Sequence, residues 1–135
     1  MTAFNGAKAL LTCGSRCVVL RRDDIPTIQF PGMIDLPGGG REAEETPEET
    51  ILREVREETG LALEAHRLSW CREYLRGPLR QWMFRADITP AEAASLRLGD
   101  EGQALWLMEV ADFLAAEDAI AHMKDRARDA LGRRA

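Results

Sequence analysis

The chain has few cysteines, no long apolar segment and fewer basic than acidic residues. Cys13, Cys17 and Cys71 form no CxxC pair, so with two isolated histidines they do not complete a zinc site, and we expect reduced thiols. No apolar run approaches the roughly eighteen residues that span a bilayer. Lys and Arg number 18 against 23 Asp and Glu, a net charge of −5, which argues against binding a nucleic acid polymer.

The length and composition are those of one ordinary globular domain. The chain has 135 residues, of which 45% are hydrophobic and 30% charged, and it contains no low-complexity tract. We therefore expect a single domain over residues 1–135, in the cytoplasm and away from membranes, as a monomer or a homodimer. Because the net charge is negative, a phosphate-bearing ligand would have to be held by local arginines or by a bound cation.

Patterns typical of β-strands lie on both sides of one strong helix signal. A short extended piece is expected at 33–36, between prolines and glycines. Longer strands are predicted in AKALLTC, RCVVLRR, LALEAHRLSWCREYL, LRQWMFRADI and QALWLME. Two further helices are predicted, a short one opening with TPAE and a terminal one in DAIAHMKDRARDALGRR. This order indicates an α/β (α+β) fold, with a mixed sheet covered by helices.

The helix signal between these strands has well-defined ends. Thr46 can cap the free backbone N–H groups, Pro47 stands where its missing N–H costs nothing, and Glu49 can reach back to the cap. Gly60 supplies the C-terminal stop. The predicted helix therefore occupies the second half of an unusually acidic stretch, GGREAEETPEETILREVREETGL, residues 39 to 61.

Three glutamates of this helix share one face. Glu54, Glu57 and Glu58 are spaced i, i+3 and i+4, next to an apolar stripe, while Arg53 falls on the remaining side. Like charges so placed cost a few tenths of a kcal/mol per pair. A hard divalent cation would offset that cost, because Mg²⁺ takes oxygen ligands, usually one or two carboxylates with waters and phosphate oxygens. The alternative is an ordinary solvated acidic face.

The spacing of the acidic stretch resembles a complete Nudix box of the Nudix hydrolase family, which is MutT-like. The match consists of Gly39, five residues, Glu45, seven residues and then REVREETGL at 53–61. The box constrains nine of these positions, and by chance all nine would be matched on the order of once in a billion windows. The resemblance implies an α/β/α sandwich whose loop–helix–loop binds Mg²⁺ or Mn²⁺ and hydrolyses a nucleoside diphosphate linked to another group.

The resemblance also implies roles for particular positions. Glu54, Glu57 and Glu58 would be metal ligands at the catalytic centre, and Arg53 would orient their carboxylates. The backbone carbonyl of Gly38, just before the box, is similar to a further ligand. Such ions neutralise phosphate oxygens and acidify water. The proton acceptor stays open at this point, since both Glu54 and a glutamate of a distal loop are reasonable.

Residues outside the helix are weaker candidates. In GDEGQALWL, Glu101 resembles the extra metal-binding glutamate of nucleoside-triphosphate hydrolases of the family, with Asp100 as its competitor. Both are loop carboxylates, which are ordinarily solvated. Arg22, at the end of a strand, and Gly39 are predicted to contact substrate. An arginine in that position is usually only a surface feature.

The substrate is expected to be a small nucleotide. The chain lacks the extra N-terminal region common among ADP-ribose hydrolases, which favours a nucleoside triphosphate or a modified nucleotide. One alternative is a hydrolase of ADP-ribose or another nucleotide sugar. A second is a catalytically silent, nucleotide-binding Nudix-like regulatory domain, although such domains usually lack acidic residues of the box and this sequence keeps them all.

Overall fold

The computed structural model describes residues 3–132 and contains one mixed sheet with helices on both faces. The strands are β1 Gly6–Cys13, β2 Arg16–Arg21, β3 Ile34–Asp35, β4 Gly38–Gly40, β5 Leu68–Arg76, β6 Leu79–Asp87 and β7 Ala104–Glu109. The helices are α1 Pro47–Thr59, α2 Pro90–Ala94, α3 Val110–Ala115 and α4 Ala121–Ala130, with a 3-10 turn at Ala65–Arg67. In the part of the chain so described, no helix has the length and apolar character needed to cross a membrane.

The strand order places β1 at the centre of the sheet. Strands follow each other as β3-β2-β1-β6-β5, with β4 added beside β1 and β7 beside β2. Only β1 and β6 run parallel, in register from Gly6 with Gln81 to Thr12 with Asp87, and the other pairs are antiparallel. The mixed sheet that the sequence indicates is therefore confirmed.

The central strands are buried on both faces, as expected for a three-layer arrangement. On one face α1 inserts Ile51 and Val55 among apolar residues of β1 and β6. On the other face Phe113 of α3 and Met123 of α4 pack against Leu10 and neighbouring strand residues. The expected α/β/α sandwich is confirmed, and the single domain over residues 1–135 stays a prediction.

Helix α1 begins and ends where the sequence predicts. The Thr46 hydroxyl accepts from the Glu49 N–H at 3.1 Å, and the Glu49 carboxylate accepts from the Thr46 N–H at 2.9 Å. At the other end Gly60 adopts φ 81°, in the left-handed region, and its N–H bonds the Arg56 carbonyl. Both ends of the candidate metal helix are thus fixed by local hydrogen bonds.

Three elements differ from the sequence prediction. The strand expected from residue 61 begins only at Leu68, because residues 61–64 are irregular and Ala65–Arg67 form the 3-10 turn. Gly38–Gly40 pair with β1 as a strand, although three glycines carry no strand propensity. The short helix Val110–Ala115 directly follows β7 and was not predicted.

Candidate active site

The box residues line a cleft of about 760 Å³ at the beginning of β1. Its walls come from β1, β4, β6, α1, the loop that follows β2 and the loop that precedes β7. Three acidic side chains predicted for the site, those of Glu54, Glu58 and Glu101, line it together. Gly38, Gly39 and Arg22 line it as well.

The glycines of β4 allow the strand to approach both the sheet and the helix closely. A Cβ on Gly39 would lie 2.8 Å from the carboxyl carbon of Glu54. Gly38 has φ 139°, and a Cβ there would overlap the Ala7 carbonyl of β1. Glycine is therefore required at positions 38 and 39 by close approach, and it allows the Gly38 peptide to lie beside the carboxylates of α1.

Glu58 is the most perturbed acid in the cleft. Its Oε2 accepts from the Gly38 N–H at 3.2 Å. Burial, with a smaller contribution from the neighbouring carboxylate of Glu54, raises the pKa of Glu58 to about 8, against the opposing effects of Lys8 and the Gly38 N–H. A buried carboxylate beside a second one favours either a proton or a cation.

Arg53, in the middle of α1, hydrogen-bonds several carboxylates. Its guanidinium donates two hydrogen bonds to Glu45, at 2.7 and 3.0 Å, and one each to Glu54 at 3.0 Å and Glu57 at 3.1 Å. It also donates to the Gly40 carbonyl at 2.7 Å. The bidentate bond from Arg53 lowers the pKa of Glu45 to about 2. Arg53 therefore holds the carboxylate of Glu54, which lines the cleft, and this geometry suits the orienting role implied by the family resemblance.

Glu57 is not brought to the other two carboxylates. Its side chain is 56% exposed, bonds Arg53 and does not line the cleft. Among residues 3–132, no three His, Cys, Asp or Glu side chains are close enough together to hold a metal ion. The carboxylates that do meet are those of Glu54 and Glu58, beside the Gly38 peptide, whose carbonyl accepts from Lys8 at 3.0 Å and would have to leave it to contact a metal. Two carboxylates and a carbonyl fit Mg²⁺ or Mn²⁺ in charge and hardness, since Mg²⁺ keeps several waters.

Lys8 lines the cleft and Asp35 lies behind it, and neither was among the residues predicted for the site. The Lys8 ammonium donates to Asp35 Oδ2 at 2.8 Å and to the Gly38 carbonyl at 3.0 Å. Arg22 bonds the same Asp35 oxygen at 3.1 Å. Burial acts to raise the pKa of Asp35, but the two cations and the Leu36 N–H outweigh it and hold that pKa below its usual value. The available signal was a single lysine inside the apolar run AKALLTC.

The loop carrying Glu101 is attached to the end of α1. Gly99 donates its N–H to the Glu58 carbonyl at 3.3 Å, and a Cβ on Gly99 would overlap the Glu57 carbonyl. Glu101 then lines the cleft, whereas its competitor Asp100 does not. The loop position agrees with the role expected for Glu101, although that role stays a prediction.

Comparison with known proteins places this geometry in a family. Residues 5–128 match the family described as NUDIX domain. The chain is 39% identical over 85 residues to the uncharacterized Nudix hydrolase orf19 of Rhodococcus erythropolis, covering 56% of this chain and 45% of that protein. The chain thus spans about half the length of this curated relative.

Solved structures share the fold at low sequence identity. An Ap4A hydrolase of C. elegans superposes with a TM-score of 0.75 at 17% identity, covering 94% of this chain and 96% of that one. The MutT protein of Methanosarcina mazei Go1 gives 0.72 at 21% identity, covering 94% and 91%. A bifunctional NMN adenylyltransferase/ADP ribose pyrophosphatase of Francisella tularensis gives 0.61 at 19%, covering 93% and 37%. With the domain match over most of its length, the chain belongs to the Nudix family.

Proposed function

We propose that this chain hydrolyses the diphosphate linkage of a nucleoside diphosphate joined to another group, with a divalent metal as cofactor. The observation that carries this proposal is the meeting of Glu54 and Glu58 in one cleft beside the Gly38 peptide, within an intact Nudix box. Nudix hydrolases generally use divalent metals. A cleft of about 760 Å³ is also within the range of small-molecule sites.

The chain's own residues have separate tasks in this proposal. Glu54, Glu58 and the Gly38 carbonyl would hold Mg²⁺ or Mn²⁺, which would supply positive charge to phosphate oxygens and lower the pKa of a nearby water. Arg53 fixes the carboxylate of Glu54 through the bond at 3.0 Å. Glu57 stays a proposed ligand, and it must leave Arg53 to reach the cleft.

The proton of the attacking water has two candidate acceptors. Glu54, on α1, and Glu101, in the loop that precedes β7, both line the cleft. Arg22 and Gly39 contact the substrate in this proposal. Arg22 already bonds Asp35 and the Gln29 carbonyl, which fixes its guanidinium at the cleft wall.

We propose a nucleoside triphosphate or modified nucleotide as the substrate. The structural relatives include an Ap4A hydrolase and an ADP ribose pyrophosphatase, so ADP-ribose or another nucleotide sugar is the alternative. A silent nucleotide-binding domain is the less favoured one, because the acidic residues of the box are all present. We also propose that the protein is cytoplasmic, that it is a monomer or a homodimer, and that it binds neither nucleic acid polymers nor membranes.

The test is a screen for phosphate or pyrophosphate release over nucleoside triphosphates, nucleotide sugars and dinucleoside polyphosphates, with Mg²⁺ or Mn²⁺. On the substrate found, Glu54→Gln and Glu58→Gln are expected to lower kcat at least about a hundredfold. Glu48→Gln is the matched control, because Glu48 is exposed in the first turn of the same helix. Near-wild-type turnover in both cleft variants would remove the metal assignment, and no hydrolysis of any compound would favour the silent domain.

A further inference from the structure

Two side-chain amides line the cleft at the beginning of β1 and β6, and the hydrolytic site uses neither. They belong to Asn5 and Gln81. Gln81 pairs with Gly6 in the parallel ladder, and the Asn5 N–H donates to the Arg80 carbonyl at 2.7 Å, so the two amides come from adjacent strands. An amide offers one accepting oxygen and one donating nitrogen, and which of them meets a ligand depends on what holds the other.

Asn5 is held by groups that fix its orientation. The Arg80 N–H donates to Asn5 Oδ1 at 2.7 Å, and a backbone N–H can only donate, so the oxygen must lie on that side. The backbone carbonyl of Asn5 accepts from the Arg41 N–H at 2.9 Å. The group that Asn5 has left for a ligand is therefore the donor Nδ2.

Gln81 is held in the same way by a buried arginine. Arg126 Nη1 donates to Gln81 Oε1 at 2.8 Å, and a guanidinium can only donate. Arg126 is 4% exposed and lies 4.7 Å from the Tyr74 ring centroid. Among the described residues it forms no ion pair with a carboxylate, and its one hydrogen-bond acceptor is Gln81. A buried cation is costly without such a partner, so the amide of Gln81 is firmly committed to this orientation.

From this geometry we infer that Asn5 and Gln81 select a nucleobase that presents hydrogen-bond acceptors, in particular a 6-keto purine, and that Arg126 is the positioning residue for Gln81. The inference rests on the proposed function only in taking the cleft as a nucleotide site. Two donors match the O6 and N7 acceptors of a keto purine, whereas the 6-amino group of adenine would place a donor against a donor. Phosphate oxygens also accept hydrogen bonds, but they do not differ between two purine nucleotides.

The test is the calorimetric affinity for inosine monophosphate and adenosine monophosphate, which differ at the purine 6-position and in the proton on N1 and have no diphosphate linkage to hydrolyse. Wild type is expected to bind the inosine nucleotide roughly tenfold more tightly. Gln81→Glu turns the donor into an acceptor and should reverse the preference. Gln29→Glu makes the same charge change at an exposed glutamine that does not line the cleft, and should leave the ratio unchanged. Equal affinities in wild type, or no inosine nucleotide binding at millimolar concentration, would overturn the inference.

The role of Arg126 is tested by the ratio of the two affinities. Arg126→Met frees the Gln81 amide to rotate, so the ratio should fall towards one. Arg126→Lys, which also only donates, should keep it. If Arg126 merely stabilises the packing of α4, both affinities would weaken together with no change in ratio, and the positioning role would be wrong. If the protein hydrolyses a compound of the substrate screen but binds both nucleotides equally, this inference is wrong and the proposed function stands. If it binds the inosine nucleotide selectively but hydrolyses no compound of the screen, this inference is supported and the proposed reaction is wrong.

Discussion

Replacing Glu58 with glutamine is expected to stabilise the metal-free protein and to remove most of its stabilisation by Mg²⁺. Burial raises the pKa of this carboxyl to about 8, from an ordinary value of 4.5. Glutamine keeps an oxygen that can accept from the Gly38 N–H, which lies 3.2 Å from Oε2 in the structure. The substitution therefore removes a carboxyl that must take up a proton on folding at neutral pH, and it leaves the hydrogen bond in place.

The size of the effect follows from the two pKa values. Below pH 4.5 the carboxyl is protonated in the folded and unfolded chain alike, so it costs nothing. Each pH unit above that value lowers the free energy of unfolding by about 1.4 kcal/mol until the folded pKa is reached. At pH 7 the cost is about 3 kcal/mol, as an upper value. Metal-free wild type should therefore lose stability as the pH rises from 4.5 to 8, and Glu58→Gln should lack that loss.

The assay is thermal unfolding with EDTA and with excess Mg²⁺, for wild type, Glu58→Gln and the exposed control Glu48→Gln. Mg²⁺ at ten times its dissociation constant adds about 1.4 kcal/mol to a folded state that alone binds it. For a domain of this size, that corresponds to a rise in Tm of roughly 5 °C. Wild type and the control should show this rise and Glu58→Gln should lose most of it. An equal rise in all three proteins would refute the assignment of Glu58 as a ligand.

Two further predictions concern the distal loop and the second face of the sheet. Glu101→Gln should weaken metal-dependent hydrolysis more than Asp100→Asn, because only Glu101 lines the cleft; equal, small effects on kcat would exclude Glu101 from the site. Burial and two nearby arginines lower the pKa of His122 to about 4. The folded chain therefore resists a protonation that the unfolded chain undergoes near pH 6.5. As a result, the free energy of unfolding should fall as the pH drops from 6.5 to 4. Urea unfolding at pH 7 and pH 5 should show a smaller loss in His122→Gln than in wild type and in His66→Gln, whose histidine is exposed; the same loss in all three would contradict the prediction.

The elements that the sequence predicts well are those determined by neighbouring residues. Helix α1 follows from its capping box and its terminal glycine, and β1 and β2 follow from runs of aliphatic residues around Gly14. Strand β4 could not be predicted in this way, because its glycines pair with β1 only as a result of the close approach of two backbones. The irregular residues 61–64 likewise depend on packing of Leu61 and Leu63 beneath the sheet.

In the candidate site, too, the features set by neighbouring residues are predictable and those set by distant residues are not. The identity of the acidic residues is local, so the box is visible in the sequence. Their partners are not local, since Lys8 meets Asp35 across 27 positions and Arg126 meets Gln81 across 45. Helical spacing alone suggests repulsion among three glutamates. In the structure Arg53 bonds Glu54 and Glu57, and the carboxyl with the raised pKa is instead the buried one of Glu58. The direction of the Arg53 side chain, which decides these contacts, cannot be inferred from helical spacing.

The two caps of α1 restrict where the chain can tolerate insertions and deletions. Thr46 fixes where the helix begins, and Gly60, with Gly99 packed on the last turn, fixes where it ends. One inserted residue between Thr46 and Glu54 would turn Glu54 and Glu58 by about 100° relative to the N-terminal cap, and both would leave the Gly38 peptide. The count of residues from 46 to 60 is therefore part of the site, in the same sense as the identity of its glutamates.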